Sequence, residues 1–536
     1  MKMVTAVICA TLLAVVMSGP ALSSAAMCES LASLSLPQTS VTSAETVAAG
    51  AFKQPGPILP GPGGFPSYSS LPAFCRVQGV LTPTPDSHIE FEVWMPSTGW
   101  NGKFQGAGNG GFAGSIDYAE MAAALMSGYA TSSTDTGHKA SVIDARWALG
   151  HLEKITDYGY RAIHETAVKS KSVLQAFYGE APRKSYFSSC SNGGRQALME
   201  AQRYPADYDG IIAGAPAANF TRIIASFAWD LLASEVEAAS HIPARKFAAI
   251  EAAVVGACDA RDGVKDGVVD DPTKCRFDPS ALLCQGPESD TCLTEPQVAA
   301  LRKVYAGPRT SKGDQVYPGF LPGGESGPGG WPIWVAGTAR GTSLQYAFST
   351  QGNAYLIFQN PAYDYKTFSL ERDVKIADET RGPVLNAVNP DLRAFNARGG
   401  KLILYHGWSD AALAPVATVN YYESVISKVG KKDAANFTRL YMVPGMQHCG
   451  GGPGPDSFGA LPSVNANAGS SLSAALEQWV ERGVAPGTIV ATKYKPGSNP
   501  PNTVVRTRPL CPYPNVASYK GAGSTDEAAS FVCKAP

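Results

Sequence analysis

Strand and helix patterns alternate through much of the chain, and this alternation constrains the fold more than any other feature of the sequence. His88 to Met95 alternates apolar and polar side chains with period two, which is typical of a half-buried strand. The run from Thr156 to Gly179 has helical spacing and ends at a glycine. A short strand at Ser185 to Ser189 then leads into a helix beginning near Gly193. Alternating elements of this kind predict an α/β fold, with a mostly parallel sheet and helices on both faces.

The alternation breaks between Ala217 and Pro390, where glycine and proline are frequent and aromatic and cysteine residues are scattered. It resumes in four elements: a strand at Lys401 to Tyr405, a helix from Pro415 to about Val429, a strand at Leu440 to Val443 and a helix from Ser471 to Gly483. We therefore predict a core built from residues 27–216 and 391–536, with residues 217–390 inserted as a lid domain.

The amino terminus has the layout of a signal peptide. Lys2 precedes an apolar run from Val4 to Met17, and small residues follow up to Ala26. The run is shorter than the roughly 18 apolar residues of a membrane-spanning helix. We predict a signal peptide over residues 1–26 and a soluble mature protein that is secreted or periplasmic. A lipid anchor is the alternative, but it requires a small residue before Cys28, where Met27 stands.

Cysteine usage fits an oxidising compartment. The chain has eleven cysteines, and removal of Cys9 with the signal peptide leaves an even set of ten, enough for five disulfides. Sequence alone does not fix their connectivity. Proximity favours Cys258 with Cys275, Cys284 with Cys292, Cys511 with Cys533 and then Cys28 with Cys75, which leaves Cys190 and Cys449.

The charge balance excludes two classes of partner. The chain has 44 basic and 45 acidic residues and no block rich in Lys or Arg. A surface without such a block has no electrostatic footprint for nucleic acid or for an anionic membrane. The sequence carries no signal for an oligomeric state.

The candidate nucleophile is Ser191, in the small-residue stretch Ser189 to Gly193 between a predicted strand and a predicted helix. The stretch matches the Gly-x-Ser-x-Gly nucleophile elbow of α/β-hydrolases except at its first position, where Ser189 stands. So sharp a turn needs small neighbours, and it points the amide of the next residue, Asn192, at the developing oxyanion. A serine in an ordinary structural turn is the alternative interpretation of the pattern alone.

Asp410 and His448 are the candidate partners of this serine, because α/β-hydrolase triads follow the chain order serine, acid, histidine. Both directly follow predicted strands, where the carboxyl edge of a parallel sheet presents side chains to a crevice. The helix predicted from Pro415 leaves a turn or capping role open for Asp410. The six other histidines precede the acid and are interpreted as surface or structural residues.

The two remaining cysteines, Cys190 and Cys449, each adjoin a member of this candidate triad. A disulfide holds its Cα atoms about 4.4 to 6.8 Å apart, and sequence neighbours lie about 3.8 Å further along the chain. A bridge between these cysteines would therefore bring Ser191 and His448 together. A bridge from either one to another cysteine stays open.

Five stretches in the two core segments carry a resemblance to a known family. They are Ser133 to His138, Cys190 to Gln196, Asp209 to Pro216, His406 to Asp410 and His448 to Gly452. On these motifs the chain resembles the tannase and feruloyl esterase family, which also includes mono(2-hydroxyethyl) terephthalate hydrolase. The resemblance implies an α/β-hydrolase core, bridged cysteines beside the triad serine and histidine, and hydrolysis of an aromatic ester such as a galloyl or feruloyl ester. The family usually has Gly at position 189 and often Thr at position 192, where this chain has Ser and Asn.

The oxyanion hole and the substrate pocket are predicted from fewer signals. We expect the amides of Asn192 and of Gly110, in the stretch Gly106 to Gly114, to bind the oxyanion. Similarity to the family implies that Leu413 faces the pocket of a small aromatic ester. Six lid aromatics are candidates for the pocket wall, although core packing is the expected role of most: Trp331, Trp334, Tyr346, Phe348, Tyr355 and Phe358.

A cluster of aspartates in the lid predicts a calcium site. The expected ligands are the carboxylates of Asp259, Asp262 and Asp266 and the carbonyls of Val264 and Val268, as the resemblance also implies. The stretch lacks the last glutamate of an EF-hand, and a solvated acidic turn is the alternative. We expect Ca²⁺ to order the lid, because the candidate triad needs no metal, and we expect no organic cofactor.

Two other function classes fit parts of the sequence. Gly106-x-Gly108-x-x-Gly111, followed about 24 residues later by Asp135, matches the fingerprint of a dinucleotide-dependent oxidoreductase. An exported chain rich in disulfides is an unusual setting for such an enzyme. The second class is a catalytically inactive hydrolase fold used for binding, which usually lacks a triad member.

Overall fold

A computed structural model of the chain describes residues 27–55, 68–497 and 503–536. The predicted signal peptide lies outside these described residues. Within them the chain forms thirteen strands: β1 (Thr39–Val47), β2 (Phe74–Leu81), β3 (Ile89–Pro96), β4 (Lys103–Ala107), β5 (Ala130–Thr134), β6 (Lys184–Cys190), β7 (Gly210–Gly214), β8 (Lys401–Gly407), β9 (Thr438–Val443), β10 (Ile489–Tyr494), β11 (Val504–Leu510), β12 (Val516–Tyr519) and β13 (Phe531–Lys534).

The same ranges contain fourteen α-helices: α1 (Tyr118–Met126), α2 (Leu152–Thr156), α3 (Ala162–Tyr178), α4 (Asn192–Arg203), α5 (Phe220–Ser234), α6 (Phe247–Cys258), α7 (Glu295–Ala306), α8 (Leu344–Gln351), α9 (Leu370–Thr380), α10 (Gly382–Leu385), α11 (Arg393–Ala397), α12 (Pro415–Val429), α13 (Lys431–Phe437) and α14 (Leu472–Arg482). A π-helical turn at Asp157–Arg161 joins α2 to α3. Among these helices none has both the length and the apolar character required to cross a membrane.

Nine strands form one large sheet in the order β1-β2-β3-β5-β4-β6-β7-β8-β9. Three neighbouring pairs at one end, β1/β2, β2/β3 and β3/β5, are antiparallel. The pairs from β5/β4 to β8/β9 are parallel. The mostly parallel sheet predicted from the sequence is therefore confirmed.

Helices cover both faces of this sheet. Successive residues of a strand point to opposite faces, so neighbouring residues pack against different helices. Phe187, Ile211 and Leu404 pack in one apolar cluster, together with side chains of α3, α4 and α12. Their sequence neighbours Tyr186 and Ile212 pack in another cluster, together with side chains of α14. Strands buried on both faces explain the nearly continuous apolar runs of the central strands.

The strand predicted at His88 to Met95 is β3, but it is not half-buried as its alternating pattern indicated. Every residue of β3 except Glu90 is buried. Glu92, which the pattern assigned to the solvent side, pairs with Arg76 at 2.6 Å and accepts a hydrogen bond from the Trp94 indole at 2.9 Å. A polar side chain whose charge is neutralised can be buried, so alternation alone did not report exposure here.

Residues 217–390 lie between β7 and β8 and add no strand to the large sheet in the described part of the chain. Apolar side chains of this segment share one cluster with Phe112 and with Ala411 to Ala414 of the core. The segment is thus packed over the carboxyl ends of the strands. The boundaries of the lid domain stay a prediction.

Two small antiparallel sheets, β10/β11 and β12/β13, follow the last core helix. Arg506 and Arg508 of β11 pair with Asp266 of the lid segment. The carboxyl-terminal region therefore contacts the loop for which calcium was predicted.

Candidate active site

Ser191 lies at the sharp turn between β6 and α4, with φ of 65° and ψ of −123°. Its amide donates to the carbonyl of Gly214 at 2.9 Å, which ties the turn to β7. Gly193 has no space for a side chain, because a Cβ there would lie 2.0 Å from Ser189 Oγ. A strained serine at a turn of small residues has the geometry of a nucleophile elbow.

The structure brings the three predicted triad residues into one hydrogen-bonded series. Ser191 Oγ lies 2.9 Å from His448 Nε2, and His448 Nδ1 lies 2.7 Å from Asp410 Oδ2. The serine is half-buried and the aspartate is 2% exposed. With the proton of the imidazole on Nδ1, Nε2 is free to accept the proton of the serine hydroxyl.

Four donors surround the carboxylate of Asp410. Oδ1 accepts from the amides of Ala412 and Leu413 at 2.7 and 2.9 Å, whereas Oδ2 faces both His448 and His406 Nε2, the latter at 3.0 Å. Burial by itself raises the pKa of Asp410, but the neighbouring His448 and His406 together hold that pKa well below its ordinary value. The carboxylate therefore stays ionised behind the imidazole.

His406 is a site residue whose role the sequence did not reveal. It ends β8, is 1% exposed, and places Nδ1 2.7 Å from the Thr418 hydroxyl. The sequence signal that could have found it is the spacing of four residues between His406 and Asp410 at the end of a predicted strand.

Five disulfides join the ten cysteines of the described residues. Four are the pairs that sequence proximity favoured: Cys28–Cys75, Cys258–Cys275, Cys284–Cys292 and Cys511–Cys533. The fifth joins the two remaining cysteines, Cys190 and Cys449. The Cys190–Cys449 bridge spans 259 residues and holds its Cα atoms 6.0 Å apart. Because these cysteines adjoin Ser191 and His448, the bridge fixes the elbow to the histidine loop.

The two predicted oxyanion donors lie on neighbouring segments. Asn192 is the first residue of α4, where a helix leaves its amides without intrahelical acceptors. Gly110 borders open space, since a Cβ there would meet no atom within 4 Å. The loop of Gly110 adjoins the elbow, because a Cβ on Gly193 would lie 3.5 Å from the Asn109 nitrogen. That Asn109 nitrogen already donates to Gln196 Oε1 at 2.9 Å.

One of the six lid aromatics, Trp334, lies beside the triad, and a second, Phe348, packs on it. The Trp334 ring is 5.4 Å from the His448 ring in an edge-to-face arrangement, and it stacks on Phe348 at 5.8 Å. Phe112 of the core contacts Phe348 at 5.0 Å, and Leu413 is buried in the same apolar cluster. An aromatic ring therefore adjoins the triad histidine, and further aromatic and aliphatic side chains belong to the same apolar cluster.

The other four aromatics pack elsewhere, as expected for most of the set. Trp331 is 1% exposed and packs against other lid aromatics. Tyr346 contacts Tyr365, and Phe358 stacks on Tyr363. Tyr355 belongs to the apolar cluster of the lid as a partly buried member.

Protein atoms fill the space beside each glycine of the nucleotide-like fingerprint. A Cβ added at Gly106, Gly108 or Gly111 would lie within 2.7 Å of a protein atom. Asp135 accepts hydrogen bonds from two backbone amides at 2.9 and 2.8 Å. The glycines pack against protein atoms and Asp135 is bonded to backbone amides, so the fingerprint residues do not form a phosphate-binding loop.

The residues predicted to bind calcium share one loop. The carboxylates of Asp259, Asp262 and Asp266 each accept a hydrogen bond from a backbone amide of that loop, and the donors include Val264 and Val268. Asp266 also forms the ion pairs with β11. A fourth carboxylate that the sequence analysis missed follows four residues after Asp266 in the same loop.

This donor set fits a hard divalent cation. Burial, followed by the charges of neighbouring aspartates, raises the pKa of Asp262 to about 6 and that of the fourth carboxylate, Asp270, to about 8. Clustered carboxylates that raise one another's pKa are stabilised by a cation, and all of the donors are oxygens. The aspartate side chains are not drawn together as a closed set of ligands, however. Among the described residues, only His164, Glu200 and Asp207 bring three side-chain ligand atoms (histidine nitrogen or carboxylate oxygen) within 4.8 Å of one another.

Known proteins similar in sequence to this chain are named as esterases or ester hydrolases. The family model described as tannase and feruloyl esterase matches residues 75–534. An uncharacterized esterase of Xanthomonas campestris pv. campestris is 43% identical over 537 residues, covering 95% of this chain and 92% of the relative. The mono(2-hydroxyethyl) terephthalate hydrolase of Piscinibacter sakaiensis is 35% identical over 536 residues, covering 88% of this chain and 86% of the relative.

Solved structures agree with this similarity. The crystal structure of feruloyl esterase B from Aspergillus oryzae superposes with a TM-score of 0.85 at 31% identity, over 95% of this chain and 99% of that chain. The tannin acyl hydrolase of Aspergillus niger has the same fold, with a TM-score of 0.74 at 22% identity over 94% of this chain and 92% of that chain.

Proposed function

Since the chain belongs to the tannase and feruloyl esterase family, and is therefore a carboxylic ester hydrolase, we propose that it cleaves esters of aromatic acids through a Ser-His-Asp acyl-enzyme mechanism. The observation that carries the proposal is the hydrogen-bonded series of Ser191, His448 and Asp410, with the Trp334 ring edge-to-face beside His448. A catalytically inactive binding protein is the less favoured candidate, because such proteins usually lack a triad member.

The proposed reaction proceeds in two acyl transfers. Ser191 Oγ attacks the ester carbonyl while its proton passes to His448 Nε2, and Asp410 stabilises the resulting imidazolium. The imidazolium then protonates the departing alkoxide, which leaves as the alcohol. Water attacks the acyl-enzyme by the same route and releases the acid. The amides of Asn192 and Gly110 are proposed to stabilise the oxyanion in both steps.

The aromatic preference is proposed from the residues beside the triad. An aromatic acyl group gains edge-to-face and stacking contacts with Trp334 and Phe348 that an acetyl group cannot make. Galloyl, feruloyl and terephthaloyl esters all carry an aromatic acyl group. The relatives named for terephthalate and feruloyl esters support aromatic esters as the substrate class.

A panel of galloyl, feruloyl, terephthaloyl and short aliphatic esters tests the proposal. We expect kcat/KM to be at least about tenfold higher for one or more of the aromatic esters than for the acetyl ester. Trp334→Leu should reduce this ratio while leaving acetyl ester hydrolysis largely intact. Equal kcat/KM values across the panel would reject the aromatic preference, and no labelling of Ser191 by a fluorophosphonate would reject the mechanism.

The Cys190–Cys449 bridge is proposed to support the triad. Changing both cysteines to alanine should lower the free energy of unfolding by about 2 to 5 kcal/mol, because the bridge closes a long loop. We also expect kcat to fall, since His448 loses the covalent link next to it. Thermal unfolding and kcat on a phenyl ester measure the two effects.

Removing the Cys284–Cys292 bridge is the matched control, because it closes a loop of only 8 residues within the lid. This control should leave kcat close to that of the wild type. A double variant at Cys190 and Cys449 with unchanged kcat would mean that the triad does not depend on its bridge.

We propose that Asp259, Asp262, Asp266 and the carbonyls of Val264 and Val268 hold a structural Ca²⁺ ion. The ion would neutralise the clustered carboxylates and order the lid, and it takes no part in the acyl transfer. Asp270 is a further candidate ligand, because its buried carboxylate is influenced by the charges of Asp262 and Asp266.

Chelation should therefore lower the melting temperature. A ligand present at about 100 times its Kd contributes about 2.7 kcal/mol of stability, which amounts to several degrees for a chain of this size. EGTA treatment followed by thermal unfolding measures the loss, and Ca²⁺ should restore it. Asp259→Asn is the matched variant, and its melting temperature should no longer respond to EGTA. An unchanged wild-type melting temperature would contradict the calcium proposal.

We propose that the protein is secreted or periplasmic. Five disulfides support this localisation, because disulfides persist in oxidising compartments and are rare in the cytosol.

A further inference from the structure

The first turn of α4 and the residue after it carry three buried polar side chains that the proposed acyl transfer does not use. Asn192 is 2% exposed, and Arg195 and Gln196 are fully buried. Buried polar groups must be satisfied by partners, so the partners of these side chains indicate what the turn holds. They lead to the oxyanion loop, which we define as residues 109–111.

The side chain of Asn192 connects the nucleophile helix to this loop. Arg195 Nε lies 2.8 Å from Asn192 Oδ1. A guanidinium has only donors, so the amide atom that faces it must be the oxygen. The amide nitrogen of Asn192 then donates to the carbonyl of Asn109 at 3.2 Å. The residue that supplies one proposed oxyanion donor thus holds the loop that supplies the other.

Two further contacts fix the residues on either side of Gly110. Gln196 exchanges two hydrogen bonds with Asn109, at 2.9 and 3.0 Å. The Tyr158 hydroxyl lies 3.0 Å from both the Gly111 carbonyl and Asn192 Oδ1, and it donates its single proton to one of them at a time. The position of the Gly110 amide is therefore set by side chains of α4 and by Tyr158 of the π-helical turn.

Arg195 is the charged member of this network, and no carboxylate pairs with it in the part of the chain that the structure describes. Its remaining donors reach the carbonyls of Gly159, Tyr158 and Leu385 at 2.8, 3.0 and 3.3 Å. An unpaired buried charge costs stability. Arg195 follows Ser191 by one helical turn, and its guanidinium contacts the side chain of Asn192, whose amide is a proposed oxyanion donor. A positive charge behind that donor favours the negatively charged tetrahedral intermediate.

We propose that the side chains of Asn192 and Arg195 are positioning residues of the oxyanion hole. Asn192 holds the Gly110 amide against Ser191, while Arg195 orients Asn192 and supplies a fixed positive charge behind it. The inference rests on the proposed function, because it assumes that Ser191 is the nucleophile.

Asn192→Asp is the most informative variant, because it keeps the shape of the side chain. The new carboxylate still accepts from Arg195 and provides the counter-ion that Arg195 lacks. It cannot donate to the Asn109 carbonyl, however, and it adds negative charge beside the oxyanion. We expect kcat to fall at least about tenfold with a KM within about threefold of the wild type. The melting temperature should stay at or above the wild-type value, so catalysis and stability separate.

Arg195→Met tests the charge, with Arg195→Lys as the conservative variant and Arg203→Met as the matched control. Arg203 ends the same helix, is exposed, and lies over the Tyr160 ring at 4.3 Å, away from the oxyanion loop. We expect a lower kcat for Arg195→Met, partial recovery for Arg195→Lys and a wild-type kcat for Arg203→Met. If Arg195→Met does not fold, Asn192→Asp decides the question.

The second measurement is the affinity for an aryl trifluoromethyl ketone. Ser191 adds to its carbonyl carbon, the hydroxyl proton passes to His448, and the carbonyl oxygen becomes an oxyanion in the hole. Affinity for this adduct should fall in step with kcat/KM in Asn192→Asp. Wild-type kcat and wild-type ketone affinity in Asn192→Asp would overturn the inference. A raised KM with an unchanged kcat would also overturn it.

A parallel assay of Ser191→Ala separates failure of the proposed function from failure of the positioning role. If Ser191→Ala keeps full turnover, the proposed function fails and the positioning role fails with it. If Ser191→Ala is inactive while Asn192→Asp behaves as the wild type, the triad assignment stands and only the positioning role is rejected.

Discussion

Ser191→Ala is expected to abolish ester hydrolysis and to leave the fold intact. The hydroxyl lies 2.9 Å from His448 Nε2, and alanine removes the only atom at this position that can form an acyl-enzyme. Loss of a triad nucleophile typically lowers kcat by on the order of a millionfold, with residual catalysis from the oxyanion hole and binding. The main-chain bonds of Ser191 to Gly214, Ala217 and Arg195 remain, so the elbow should keep its conformation.

Steady-state kinetics on the preferred ester, thermal unfolding and fluorophosphonate labelling measure the result. Ser188→Ala is the matched control, because Ser188 precedes the elbow on β6 and its hydroxyl donates to the carbonyl of Ala460 at 2.8 Å. The control should lose some stability but keep kcat close to that of the wild type. Turnover that survives in purified Ser191→Ala would contradict the assignment of the nucleophile.

The elements around the nucleophile could be predicted because their signals are local. The strand predicted at Ser185 to Ser189 is β6 (Lys184–Cys190), and the helix predicted from Pro415 to about Val429 is α12 with the same bounds. Small residues at the elbow and the order serine, acid, histidine also depend only on neighbouring positions and chain order. The mostly parallel sheet followed from these alternating elements.

The rest of the site depends on contacts between distant segments, which no local pattern encodes. Which of the six lid aromatics lies beside His448 depends on how the lid segment folds over the core. His406 was interpreted as surface or structural, and its contact with Asp410 required the turn after β8 to bring the two together. Arg195 lies in the stretch Cys190 to Gln196 that carried the family resemblance, but no pattern indicated its role. A buried arginine without a carboxylate partner runs against the usual behaviour of charged residues.

Asp410→Asn is expected to lower kcat on the order of ten-thousandfold, through the tautomer of His448. Asp410 Oδ1 accepts from the amides of Ala412 and Leu413, so the oxygen of an asparagine must take that side. Its NH₂ group then faces His448 Nδ1, which can only accept from it. The imidazole proton moves to Nε2, where it faces Ser191 Oγ and blocks removal of the serine proton.

The second partner of Asp410 makes this prediction specific. In His406→Gln the new amide can still donate to Asp410 Oδ2, so the carboxylate and the tautomer of His448 are preserved and kcat should fall far less than in Asp410→Asn. Ring ¹⁵N shifts should report a proton on Nε2 of His448 in Asp410→Asn and on Nδ1 in the wild type. Equal losses of kcat in the two variants, with His448 protonated on Nδ1 in both, would mean that Asp410 acts by some route other than orienting the imidazole.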